Sequence, residues 1–224
     1  MLINTNKIFI DRKSEIEFYF NQLLSLDEKQ KHATKTTINE KRSLKIMKSN
    51  FILMLYNLVE AVFVSGIQEI YSYINAESIP YSNLTKKLQH IWINAKFTSI
   101  CKQNNKPDTQ LKSFLSIVNS ITTNKNIKMK DNMLDGSGNF NSDLIKKICI
   151  HHGIYSRAED KNNQLEKIRL NRNKLAHGEE SFSDCMRDYS IADLNSMQID
   201  TINFIKQIIL DMESFCNSKS YKQQ

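Results

Sequence analysis

The sequence predicts an all-α fold. Its 224 residues include only five Gly and two Pro, too few for the many turns of a β-sandwich or barrel. Hydrophobic residues make up 40% of the chain, which is enough for one core and too many for global disorder. Gly and Pro also lie between segments whose apolar residues recur at helical spacing, so they mark the ends of helices.

The longest predicted helix is also the most apolar one. It covers about 38–76 and begins after Thr37, which has Glu40 at the spacing of a capping box. Its middle is apolar on all sides, which is typical of a buried central helix. Because Gly66 costs a helix up to about 1 kcal/mol relative to Ala, we expect another helix to pack closely against it.

The other predicted helices flank this one. A first helix at about 12–27 has an apolar stripe of helical period. Residues 124–140 form a loop of a length that is usually functional or mobile. Five further helices are predicted at about 83–104, 107–122, 142–153, 157–178 and 191–217. These elements divide the chain into an N-terminal helical extension at 1–36, a helical domain at 37–217 and a flexible tail at 218–224.

The charge balance favours an anionic partner. There are 31 Lys and Arg residues against 24 Asp and Glu, a net charge of +7, which permits RNA, DNA or an acidic protein. The N-terminus has no secretory apolar segment, and the most apolar run, 51–64, is too short to span a bilayer. The four cysteines are too widely spaced for a zinc-knuckle or redox motif. We therefore expect a cytoplasmic protein with no membrane segment, metal or cofactor.

Polar side chains collect on one side of the helix that ends at Gly178. At about 100° per residue, Leu165, Ile168 and Leu175 form the stripe that faces the core. Beside this stripe, an arc from about 40° to about 180° holds no large apolar side chain in the last two turns. The residues of this arc are Arg169, Arg172, Asn173, Ala176 and His177.

This set suits phosphoryl chemistry on RNA. The planar guanidinium of Arg172 matches two phosphate oxygens, the imidazole of His177 can take or give a proton, and Asn173 can orient the imidazole or bind a phosphate oxygen. RNA supplies its own nucleophile, the 2′-hydroxyl, so neither a metal nor a protein nucleophile is required. The same spacing also fits a surface arginine and a helix-terminal histidine that interacts favourably with the helix dipole.

The run from Arg172 to Gly178 resembles the signature of the HEPN superfamily, the higher-eukaryote and prokaryote nucleotide-binding domain. Its prokaryotic MAE-like branch is the most similar part of that superfamily. Further similarity to this branch lies at 55–71, 136–154 and 187–197, whereas the first 36 residues fall outside it. The resemblance implies a HEPN-like helical bundle with one long central helix. It also implies a homodimer in which two motifs face each other across a cleft.

The resemblance implies a function as well. Many HEPN members are metal-independent endoribonucleases of toxin–antitoxin, abortive-infection or other defence systems. By position, Arg172 and His177 would be catalytic, with Asn173 as their polar partner, and an antitoxin or another defence protein would be a partner. Members controlled by nucleotidyltransferase antitoxins often carry a Tyr where this chain has Glu179, which argues against control by tyrosine modification. Other members are non-catalytic scaffolds that bind a protein or nucleic acid, and this alternative stays open.

Several other residues are candidates for supporting roles. Asn57 and Glu60 lie one helical turn apart in the most apolar stretch, where a buried carboxylate needs a partner. Glu60 is either satisfied by local groups or an anchor for Arg172 or His177. Arg169 is a further supporting residue. The candidate contacts to the RNA backbone, which otherwise belong to a solvated face, are Lys41, Lys45, Lys48 and Lys174.

A metal site at the end of the fifth predicted helix is disfavoured. Cys149, His151 and His152 lie close together in the sequence, but a fourth ligand is not evident. Adjacent histidines also diverge on a helix, so one metal ion cannot easily bind both. We expect these two histidines to be exposed.

Overall fold

The computed structural model describes residues 2–102, 107–134 and 138–223. Within these ranges the chain forms seven α-helices, and the only β-type pairs are two isolated bridges. The all-α prediction is therefore confirmed. The helices are α1 Ile3–His32, α2 Ile38–Ala76, α3 Lys86–Lys102, α4 Pro107–Thr122, α5 Ser142–His152, α6 Gln164–His177 and α7 Ile191–Asn217.

The central helix α2 has the predicted bounds and the predicted cap. The Thr37 hydroxyl accepts a hydrogen bond from the Glu40 N–H, and the Glu40 carboxylate accepts one from the Thr37 N–H. α2 packs against α1, α6 and α7. By length and composition alone it could cross a membrane, but 61% of its most apolar 18-residue window is buried in the protein. Such burial is typical of the core helix of a soluble protein.

Gly66 lies where three helices meet. A Cβ atom built on it would come within 2.5 Å of Met212 Sδ in α7 and 3.7 Å of Thr5 Cγ2 in α1. Real Cβ atoms do not approach sulfur this closely. The predicted close packing at Gly66 is confirmed.

The N-terminal helix α1 begins earlier than the sequence pattern predicts. No local side chain caps its first turn. Instead the Glu69 carboxylate of α2 accepts hydrogen bonds from the N–H groups of Asn4 and Thr5 at 3.1 and 3.0 Å. The Glu213 carboxylate of α7 accepts one from the Leu2 N–H at 3.2 Å. These two distant carboxylates replace a local cap, and their charge is favourable at a helix N-terminus.

α1 shares the hydrophobic core of the bundle. Ile16 and Leu23 are buried on the face that meets α2. The rings of Phe20 and Phe51 lie 5.5 Å apart, and the Tyr19 hydroxyl donates to the Met47 carbonyl of α2. The N-terminal extension is thus packed onto the long central helix along its length.

The sixth helix begins later than predicted, at Gln164 rather than at residue 157. Asn162 and Asn163 both have left-handed backbone angles, with φ of 58° and 54°, which no α-helix can contain. Upstream, Asp211 accepts hydrogen bonds from the Arg157 N–H and Nε at 2.7 and 2.9 Å and holds the backbone out of helical geometry. The predicted stop at Gly178 is confirmed, with φ of 69°.

The loop between α4 and α5 is packed as far as it is described. The Asn75 side chain donates to the Met129 carbonyl and accepts from its N–H, at 2.9 and 2.8 Å. Ile127 and Met129 are buried. Gly136, part of the predicted loop, lies outside the described residues.

The C-terminal segment differs from the predicted flexible tail at 218–224. Tyr221 is completely buried, and its hydroxyl donates to the Glu77 carboxylate at 2.8 Å. Lys219 and Lys222 pair with the same carboxylate. Their ammonium groups lower the pKa of Glu77 to about 2, and the effect of Lys222 is the larger. A buried aromatic ring and three polar contacts to one carboxylate fix this segment on the end of α2.

Candidate active site

The polar arc of α6 is open in the structure. Ile168 and Leu175 are buried against the core, as predicted. Ala176 and His177 are exposed, and Arg172 is half-buried. The end of α6 therefore presents its polar side chains at the surface with no large apolar residue among them.

The Arg172 guanidinium lies against an aromatic ring. Its central carbon is 4.8 Å from the centre of the Tyr56 ring of α2, which is cation–π distance. Its Nη1 donates to Asn173 Oδ1 at 3.0 Å. Among the described residues, no carboxylate forms an ion pair with Arg172. Its charge is therefore oriented by neutral groups and not neutralised.

A short segment before α5 crosses the side of this arginine. We call residues 138–141 the strap. The Asn139 Oδ1 accepts a hydrogen bond from Asn173 Nδ2 at 2.9 Å, and the Phe140 N–H donates to the Tyr56 hydroxyl at 3.1 Å. Gly138 has φ of 69°, and a Cβ there would lie 3.9 Å from Arg172 Nη2. The strap thus links α2 to the motif on α6.

Arg169 is paired, unlike Arg172. Its Nε and Nη2 donate to the two oxygens of Glu166 at 2.9 and 2.7 Å, and this pair lowers the pKa of Glu166 to about 2. Asn141, the residue that caps α5, donates to the same carboxylate at 2.8 Å. Glu166 therefore anchors the end of the strap, and it also compensates the charge of Arg169.

His177 is in the last turn of α6 and is exposed. It makes no hydrogen bond or ion pair with the residues that the structure describes. Lys174 on the same turn pairs with Glu180 at 2.6 Å. Lys174, predicted to contact RNA, is thus bound to a carboxylate of its own chain.

The structure does not bring Asn57 and Glu60 into the site as predicted. Asn57 is exposed on α2. Glu60 is half-buried and forms no hydrogen bond or ion pair with Arg172 or His177. Burial raises the pKa of Tyr56, and the charge of Glu60 adds to this effect. Glu60 thus acts electrostatically on Tyr56, the ring that holds Arg172, but it is not paired with Arg172 itself among the described residues.

The predicted basic stripe on α2 is shorter than expected. Lys48 is 9% exposed, and its Nζ donates to the Tyr189 carbonyl at 2.6 Å. Burial lowers its pKa. Because the segment that leads into α7 covers it, Lys48 cannot contact an RNA backbone as predicted. Lys41 and Lys45 lie at or near the surface.

His152 is buried, so its predicted exposure is wrong. Its Nδ1 lies 2.8 Å from the Ile148 carbonyl and its Nε2 lies 2.7 Å from the Tyr71 hydroxyl. A carbonyl only accepts, so Nδ1 carries the proton and Nε2 accepts from Tyr71. Burial lowers the pKa of His152 to about 4. No group of three or more His, Cys, Asp or Glu in the described part of the chain is arranged to hold a metal ion.

Sequence reasoning did not single out Tyr56 or Asn139. Tyr56 has the burial and the spacing of an ordinary core residue of α2. Asn139 lies in a loop, where no periodicity assigns a direction to a side chain. Two sequence signals included strap residues: the long loop predicted at 124–140 and the similarity of 136–154 to the MAE-like branch.

The described chain is a helical bundle around one long central helix, with Arg172, Asn173 and His177 in the last two turns of α6. A family model described as MAE_28990-like HEPN matches residues 2–221, so the chain belongs to this family. The match includes α1, which the resemblance in the sequence had left out. No curated protein and no solved structure gives a significant match to the chain.

Proposed function

We propose that this protein is a metal-independent endoribonuclease that cuts RNA at a site built from Arg172 and His177. The observation that carries the proposal is the state of Arg172. Its guanidinium is oriented by a ring and an amide and has no carboxylate partner among the described residues. An exposed histidine follows on the last turn of the same helix.

The proposed reaction is transesterification at one phosphodiester. The 2′-hydroxyl oxygen attacks the adjacent phosphorus and gives up its proton to a base, and the bond to the 5′-oxygen breaks as that oxygen takes a proton from an acid. The products are a 2′,3′-cyclic phosphate and a 5′-hydroxyl. Arg172 stabilises the charge that develops on the phosphoryl oxygens. His177 exchanges a proton with the 2′-hydroxyl or with the leaving oxygen.

The active species in this proposal is a homodimer. The reaction needs both a base and an acid, and each chain has one histidine at the motif. His177 is exposed and makes no described contact within its own chain, so it is free to face a second copy. A two-fold axis near the end of α6 would place two arginines and two imidazoles in one cleft.

Membership of the HEPN family supports a proposal for the biological setting. We propose a cytoplasmic protein of a toxin–antitoxin or anti-phage defence system, with RNA as substrate and an antitoxin or other defence protein as partner. The net charge of +7 favours an anionic substrate. Lys41 and Lys45 are available for the RNA backbone, since both lie at or near the surface.

The test compares two site variants with two matched controls. Arg172→Ala and His177→Ala should reduce RNA cleavage at least a hundredfold and leave helicity and melting nearly unchanged. Arg187→Ala and His151→Ala remove exposed residues of the same types elsewhere and should cleave normally. Cleavage should persist in EDTA and fail on a substrate with a 2′-deoxy sugar at the scissile position.

Three results would contradict the proposal. One is full cleavage by either site variant, and another is equal cutting of DNA. The third is tight RNA binding with no cleavage by the wild type, which would indicate the non-catalytic scaffold instead.

A further inference from the structure

Arg172 is held in place without a carboxylate partner among the described residues. An arginine side chain loses rotamer entropy when it is fixed, and a carboxylate is a common bidentate partner for its guanidinium. Arg169 follows this pattern with Glu166, but Arg172 has no such partner in the described chain. A carboxylate would compete with a phosphate for the guanidinium, so a neutral support is what an anion site requires.

The first part of that support is the ring of Tyr56. Tyr56 is 1% exposed and belongs to the central helix, so its ring is held firmly by the core. The guanidinium carbon lies 4.8 Å from the ring centre. A cation over an aromatic ring is attracted to the ring face, and this attraction leaves the N–H groups of the guanidinium available for an anion.

The second part is the strap, and Tyr56 anchors it as well. The Tyr56 hydroxyl accepts the Phe140 N–H at 3.1 Å. The Phe140 ring is itself buried and lies 5.5 Å from the ring of Phe63. This anchor places the neighbouring Asn139 so that its Oδ1 accepts from Asn173 Nδ2 at 2.9 Å.

The Tyr56 ring and the strap both act on the Arg172 guanidinium. Asn173 Oδ1, whose amide is oriented by Asn139, accepts from Arg172 Nη1 at 3.0 Å. The guanidinium is therefore held over the Tyr56 ring, and its Nη1 is held by the Asn173 amide. Its Nε and Nη2 make no hydrogen bond with the described residues, and they lie in one plane, as two oxygens of a phosphate require.

We propose that Tyr56 and Asn139 are positioning residues that hold Arg172 in the orientation that binds the scissile phosphate. This inference rests on the proposed ribonuclease function. Neither residue touches the reacting atoms. Tyr56 acts through both its ring and its hydroxyl, and Asn139 acts through Asn173.

The kinetic test separates the two contributions of Tyr56. Tyr56→Phe keeps the ring and removes the strap anchor, whereas Tyr56→Leu removes both. At saturating RNA we expect kcat to fall about threefold to tenfold in Tyr56→Phe and Asn139→Ala, and at least thirtyfold in Tyr56→Leu, while KM changes less than threefold. Tyr71→Phe is the control and should cleave normally. It removes a buried hydroxyl on α2, the helix that also carries Tyr56, and this hydroxyl is bonded to His152 of α5. In an Arg172→Lys background, which lacks the planar fork, Tyr56→Leu should have a much smaller effect.

A second measurement does not depend on cleavage. Nuclear magnetic resonance relaxation of the Arg172 Nε–H group should show an ordered guanidinium in the wild type and a mobile one in Tyr56→Leu. If the wild type cuts no RNA but this difference appears, the ribonuclease proposal fails and the positioning role stands. An equally ordered Arg172 in Tyr56→Leu, or wild-type kcat in that variant, would overturn the positioning role.

Discussion

At the residue scale, His152 shows how the fold fixes a charge state. Its ring is buried, its Nδ1–H is bound to the Ile148 carbonyl, and its Nε2 accepts from Tyr71. The neighbouring imidazole of His151 also disfavours the charged form, although burial is the main cause. His152 is therefore neutral in the folded protein under conditions in which an exposed histidine begins to protonate.

A pH dependence of stability follows from this burial. The pKa of His152 is about 4 in the folded protein, against 6.5 for an ordinary histidine. Below pH 6.5 His152 is protonated in the unfolded chain but stays neutral in the folded protein. The free energy of unfolding should therefore fall between pH 6.5 and pH 4, by roughly 3 kcal/mol from this group. Urea unfolding at several pH values measures the loss. His151→Gln should keep the dependence, and direct titration of His152 with a midpoint above pH 6 would contradict it.

The residues of the site differ in whether the sequence alone could predict their positions. Arg172, Asn173 and His177 were predictable because the period of one helix sets their common arc. The roles of Tyr56 and Asn139 were not, since they depend on contacts between residues 84 and 34 positions apart in the chain. Periodicity within a helix gives the direction of a side chain, but it does not identify the side chain that another element brings against it.

At the element scale, the meeting of α2 and α7 at Gly66 allows a sharp test. Ala is the better helix former by up to about 1 kcal/mol, yet its methyl group would come within 2.5 Å of Met212 Sδ. We expect Gly66→Ala to lower the free energy of unfolding by about 1–3 kcal/mol. Met212→Ala makes room for the new methyl, so the double variant should lose less than the sum of the single losses. Strictly additive losses in urea unfolding would show that the two residues do not compete for space.

The ends of the helices show which elements a sequence can define. Thr37 with Glu40 and Ser190 with Asp193 both form capping boxes. Local sequence can indicate such a box, because all of its groups lie within four residues. Ser156 has the same spacing to Glu159 but starts no helix. Asp211 holds the backbone there, and left-handed residues follow. Where the partner of a helix end lies in a distant helix, as Glu69 and Glu213 do for α1, local sequence cannot show it.

At the scale of the whole molecule, the C-terminal segment closes one end of the bundle. The buried ring of Tyr221 lies 6.1 Å from Tyr73 of α2 and 6.0 Å from Phe215 of α7. Tyr221→Ala should cost about 3–5 kcal/mol and lower the melting temperature by at least about 6 °C. Tyr155→Ala, at a tyrosine that is 81% exposed, should change stability by less than about 0.5 kcal/mol. Equal melting temperatures for the two variants would show that residues 218–223 are not part of the cooperative fold.

Assembly is the second property of the whole molecule that can be measured. If two copies of His177 share the acid and base roles, specific activity should rise with protein concentration and level off as the dimer forms. Mass in solution, measured over the same concentrations, should double along the same curve. A monomer with constant specific activity would rule out the composite site even if Arg172 and His177 proved essential.

The carboxylates that cap α1 also determine when the bundle can be completed during translation. Leu2 is 1% exposed, and its N–H is bound by Glu213, 211 residues further along the chain. A ribosome delivers the first of these residues long before the second. A nascent chain that has emerged only as far as α6 already contains Glu69 but lacks Glu213 and α7, so the Leu2 N–H has no partner there and the apolar face of α1 is incompletely covered. The bundle closes only when translation has delivered α7, and any activity that needs the closed bundle starts after that moment.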